Sequence, residues 1–100
     1  MNQKIYQGIN NEPKGGMTPT ANIIRDAWVF GLIPEEQTCE GWTIQGIENL
    51  YDQVHDAWLP YGHLASRLPP ALGERHARIY GAAVERARAE GWDPSLDDES

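Results

Sequence analysis

Glu48, Asp52 and His55 are spaced by four and three residues, which on a helix turns their side chains into one narrow arc. Two carboxylates and an imidazole are ligand types that divalent metals accept, and a carboxylate three residues before a histidine has the spacing of half a di-iron bundle site. The chain holds no second carboxylate–histidine pair at that spacing, so a complete site of this kind needs two copies of it. A solvated polar face opposite an apolar stripe explains the same residues without any ligand, and is the plainer reading.

Two further groups invite chemistry. Cys39 is the only cysteine, which excludes an intramolecular disulfide and every multi-cysteine metal pattern. Glu36 and Glu40 flank it and no basic residue lies near, so its thiolate is disfavoured and a nucleophile is not expected. A pairing of Cys39 with His55, His63 or His76 would have to arise through space. Arg75, Arg78 and Arg86 form the other group, since a helix sets Arg75 and Arg86 about 20° apart with Arg78 close by. Such a stripe can hold an anion or an acidic partner. It can equally pair with Glu48, Asp52 or Asp56, and that internal pairing is favoured. No glycine-rich phosphate loop, Gly-x-Ser-x-Gly or His-Glu-x-x-His motif occurs.

The elements that must position these groups read as helices. Thr18 can cap a helix opened by Pro19 and running to about Phe30, with Gly31 as its stop. Ile44, Ile47, Leu50, Tyr51, Val54, Ala57 and Trp58 recur at spacings of three and four, capped by Thr43 and ended by Pro60. His63 to Leu68 suits one short turn. Pro69-Pro70 then opens a third helix with Leu72, His76, Ile79, Tyr80, Ala83 and Ala87 near one face; Gly91 stops it and Trp92 can fold back on Ala87. The expected fold is mainly α, a compact domain of about three amphipathic helices over residues 18–93. An N-terminal arm, flexible or docked, occupies 1–17, and an acidic, disordered tail occupies 94–100.

The first helix stands out because Ile23, Ile24, Ala27, Trp28, Val29, Phe30 and Leu32 are spread round nearly its whole circumference. A helix apolar on all sides is buried on most of them. Trp28, Val29 and Ile33 are therefore expected at a protein-interaction surface, covered by a partner or a second copy unless the arm's Ile5, Tyr6 and Ile9 do so.

A formal charge of −7 over 100 residues argues against binding nucleic acid or an anionic membrane. One cysteine and no leader-like apolar run point to the cytoplasm. The function expected is that of a small accessory or adaptor protein acting through protein–protein contacts, a homodimer among them, with no cofactor. A metal-binding or enzymatic domain centred on Glu48, Asp52 and His55 is the alternative. An acidic nucleic-acid mimic is a further one, weakened by the clustered arginines.

Overall fold

The computed structural model describes residues 5–13 and 16–91. Helix α1 spans Pro19–Val29. It starts where expected because the Thr18 hydroxyl accepts from the Ala21 amide at 3.1 Å and Pro19 has no N–H to leave unsatisfied. Gly31 ends it in a left-handed conformation (φ 71°), where its own amide donates to Trp28 and the Leu32 amide to Ala27 at 2.9 Å. These two bonds satisfy carbonyls that a helix end otherwise orphans.

Helix α2, Ile44–Trp58, uses the same device, with Thr43 Oγ1 accepting from the Gly46 amide at 3.1 Å. Ile47, Leu50, Val54 and Trp58 are buried along it. Ile44, expected at the head of that stripe, is 44% exposed. Single turns of 3-10 helix at Leu59–Tyr61 and Ala65–Arg67 lead to α3, Pro70–Ala89. Gly91 (φ 95°) closes α3 with a bond from its amide to Arg88. The expected Trp92 contact on Ala87 and the tail from 94 lie outside the described residues.

Helix α1 is the middle of the domain, with α2 and α3 both packed against it, as its apolar circumference requires. Ile24, Ala27 and Val29 are completely enclosed. Val29, expected on a partner surface, is therefore core: α3 lies along α1 and Arg75 closes over the end of the helix, donating to the Val29 carbonyl at 3.2 Å. No helix among the described residues is long and apolar enough to cross a membrane.

The described part of the arm is docked. Tyr6 donates to the Trp42 carbonyl at 2.8 Å and accepts from the Gly41 amide at 2.9 Å, Ile9 donates to Thr38 at 3.1 Å, and Ile5 bridges Thr43 in antiparallel fashion. Tyr6 and Ile9 join the core as a result. Gly8 makes this approach feasible: it sits at φ 97°, and a Cβ there would lie 3.0 Å from that of Glu40.

Candidate functional site

Arg25 and Asp26, two consecutive charged residues inside an apolar helix, organise the two sides of α1. On the side facing α2, Asp26 Oδ2 accepts from Trp58 Nε1 at 3.0 Å, and Oδ1 accepts from the Tyr80 hydroxyl at 2.5 Å. One carboxylate thus ties α1 to both other helices. The Tyr80 hydroxyl also lies 2.9 Å from the Asn22 carbonyl. Burial, and then the bond to Asp26, push the Tyr80 hydroxyl well above the usual tyrosine range, so it stays a donor. Aromatic rings close round this group: Trp58 meets Phe30 edge-on at 5.1 Å, and His76 stacks on Tyr80 at 4.4 Å.

About 100° further round the helix, Arg25 is only 6% exposed. Its Nη1 donates to Asn22 Oδ1 at 2.8 Å and points at Met17 Sδ at 3.9 Å. Among the described residues it has no carboxylate at ion-pair distance. It lines a pocket of about 170 Å³ together with Arg86, Trp28, Ile9, Ile79 and Ala83. Trp28 is also a wall of a second, more open cleft of about 420 Å³, made with Leu32, Ile33, Pro34, Glu35 and Arg75. The indole is held between the two by a 3.0 Å bond from Nε1 to the Gln37 carbonyl. Along α3, Arg75, Ile79, Ala82 and Arg86 follow at steps of four, three and four, so they form one edge of this seam.

The residues singled out in the sequence sort accordingly. Trp28 and Ile33 share the open cleft, whereas Val29 is buried and does not line it. Arg75 and Arg86 flank the seam at its two ends. Their expected partners on α2 are not used: Arg78 makes a two-pronged pair with Glu35 (2.9 Å twice), and Arg86 pairs with Glu90 at 3.0 Å and Asn10 at 2.9 Å. The reason is topological. Helix α3 packs along α1, and Glu48, Asp52 and Asp56 remain exposed on α2.

Glu48, Asp52 and His55 are all exposed on α2. Among the described residues no three His, Cys, Asp or Glu side chains converge as a metal site. His55 instead faces His63, ring to ring at 4.8 Å, on the lip of a cleft of about 350 Å³ beside Asp26 and Tyr51. Cys39 is wholly enclosed, and burial pushes its thiol up to about 11, a stronger cause than the flanking glutamates invoked from the sequence. A protonated thiol shut away from solvent performs no nucleophilic chemistry.

Sequence reasoning missed Arg25 and Asp26. The available signal was their position, a charged pair set inside a segment of Ile23, Ile24, Ala27, Trp28 and Val29, where burial forces each charge to find partners. Comparison of the chain with protein-family models, with curated proteins and with solved structures finds no match.

Proposed function

We propose that this chain is a binding protein, an accessory or adaptor that receives a segment of another protein along the seam between α1 and α3. The observation that supports this reading is that Trp28 forms a wall of both clefts on that seam, with Arg75 at one end and Arg86 at the other. An aromatic anchor between apolar subsites and guanidinium groups at the edges is the usual chemistry of a protein-recognition surface. Arg75 and Arg86 are eleven residues apart on α3, about 16 Å at the helical rise, which an extended segment of about five residues spans.

The test is selection of peptides from a random displayed library against the wild-type chain, repeated against Ala82→Glu. Ala82 is exposed and lines the pocket, so this change fills the seam while leaving the core alone. Enriched peptides that bind wild type and lose at least tenfold in affinity for Ala82→Glu support the reading. No enrichment, or peptides indifferent to Ala82→Glu, overturns it.

A further inference from the structure

Arginine does not deprotonate in proteins, so the Arg25 guanidinium keeps a full charge in a place where water barely reaches it. A buried charge is ordinarily balanced by an opposite one, and leaving it unbalanced is costly. Here the direct partners are an amide oxygen and a thioether. The nearby carboxylate of Glu12 is already engaged by the Tyr6 hydroxyl at 2.6 Å. Across the pocket stands Arg86, a second cation, oriented by Asn10 Oδ1 at 2.9 Å and Glu90 at 3.0 Å. Gly16 packs so closely that a Cβ there would lie 3.0 Å from Arg25 Nη2, and Arg25 also lines the pocket.

Arg25 and Arg86, the latter already paired with Glu90, therefore bracket a small cavity whose other walls are mostly apolar, Ile9, Trp28, Ile79, Ala82 and Ala83, with Asn10 among them. Low-polarity walls concentrate the positive field, and they also disfavour a bare hydrated anion relative to one with an apolar stem. At about 170 Å³ the pocket has room for a carboxylate on one or two methylenes. The fork of a guanidinium matches the two oxygens of a carboxylate.

We infer that the pocket bounded by Arg25, Arg86 and Trp28 is a carboxylate subsite, taking an aspartate or glutamate side chain from an acidic segment of a partner protein whose apolar neighbours lie on Trp28. The inference rests on the seam being a protein-binding groove and adds what that groove selects. Charge complementarity argues for such an occupant: the buried cation lacks a contacting carboxylate among the described residues, and the partner's acidic side chain supplies one.

The experiment continues the peptide selection. Peptides lost on Ala82→Glu should carry an acidic residue next to an apolar one at a constant position. Replacing that residue by its amide should weaken binding to wild type at least tenfold, measured by fluorescence anisotropy with synthetic peptides. Arg25→Met, which keeps the length of the apolar stem and removes the charge, should bind the acidic and amide peptides equally. Arg86→Gln, on the exposed rim, should narrow the acid preference about threefold to tenfold, and it serves as the readout if Arg25→Met does not fold. Peptides that depend on the seam but carry no acidic position, or an acid preference that persists in both variants, overturn the carboxylate subsite and leave the protein-binding reading standing. Absence of any seam-dependent peptide ends both.

Discussion

Arg25 and Asp26 are neighbours in one helix and both carry charge, Arg25 buried and Asp26 half-buried, yet their surroundings differ in kind. Asp26 is closed in by donors from two other helices, an indole N–H and a tyrosine O–H. Arg25 has an amide oxygen, a sulfur and a pocket. The comparison separates two uses of a buried charge. Where complementary groups converge on it from elements distant in sequence, the charge fixes how helices sit on one another. Where the direct partners are local, an amide oxygen and a thioether within eight residues, the charge ties no helices together and is available to something from outside. The consequence is that removing Asp26 should injure the fold, and removing the charge of Arg25 should injure recognition.

The largest effect is expected from Asp26→Ala. It strips the acceptor from Trp58 Nε1–H and takes from Tyr80 its shorter bond. Leaving buried donors short of partners costs about 2–4 kcal/mol, which lowers Tm by about 10–20 °C in a domain of this size. Thermal unfolding followed by far-UV circular dichroism reads it directly. Tyr80→Phe should cost about 1–2 kcal/mol, because the hydroxyl's contacts with Asp26 and Asn22 are lost while the ring remains packed. Arg25→Met should melt within a few degrees of wild type. Equal losses for Arg25→Met and Asp26→Ala would break the comparison, since Arg25 would then be as structural as its neighbour.

Alkaline pH sharpens the same contrast. Burial, reinforced by bonds to Glu12 and Asp26, raises the hydroxyls of Tyr6 and Tyr80 above their usual range. A group whose folded value lies above its unfolded one contributes stability that is complete below the unfolded value of about 10 and is lost as pH rises through the folded value. Stability should therefore fall on going from pH 9 to pH 11, and the fall should be shallower in Tyr80→Phe and in Tyr6→Phe. An unchanged slope in both variants would show that neither hydroxyl needs its proton to hold the fold.

Gly8→Ala comes next. The new methyl would be forced into a left-handed backbone and against Glu40, at a cost of about 1–2 kcal/mol. Because this residue belongs to the arm, the loss should be local. Amide exchange should rise at Tyr6 and Ile9 and stay unchanged at Leu50 and Val54. Uniform acceleration throughout α2 would mean that the arm and the helices unfold as one unit.

These predictions draw on features of unequal legibility. The starts at Thr18 and Thr43 and the stops at Gly31 and Gly91 are local events, decided within a few residues by a hydroxyl, a proline ring or a missing Cβ, and they are readable in order along the chain. The apolar circumference of α1 is equally plain, and its central position follows from it. What covers that circumference is a different matter. The arm pairs with residues 38–43, a loop with no alternating pattern to announce a strand, through backbone groups that every sequence possesses. Arg78 reaches Glu35 because α3 happens to run antiparallel along α1, and a helical wheel of α3 alone gives no information on that. The seam needs Trp28, Arg75 and Arg86 from two elements at once, so the sequence presents its parts as separate patches. Arg25 was hidden for the opposite reason: among so many clustered arginines on α3, one on α1 resembled a solvated charge.

The smallest effect belongs to the exposed pair. Arg78 and Glu35 form a two-pronged salt bridge at 2.9 Å with both side chains well exposed, 59% and 42%. Its hydrogen bonds hold the Glu35 carboxyl below the usual carboxylate range. A depressed folded value gives a contribution that is present above the unfolded value, about 4.3, and disappears as pH falls through the folded one. Exposure and screening make that contribution small. Glu35→Gln should thus lower Tm slightly at neutral pH and low salt, and match wild type both at 1 M salt and at pH 2. The result bears on the seam because Glu35 lines its open end together with Arg75, while the bond from Trp28 to Gln37 ties the same loop to α1. If the Trp28 indole is the true anchor, Glu35→Gln leaves the loop in place and frees Arg78 to add a third guanidinium to the groove. Affinity for acidic seam peptides should then rise modestly in Glu35→Gln, in the direction opposite to its effect on stability. A fall in that affinity would mean that the ion pair shapes the cleft, and that the open end of the seam is held by charge and not by the indole.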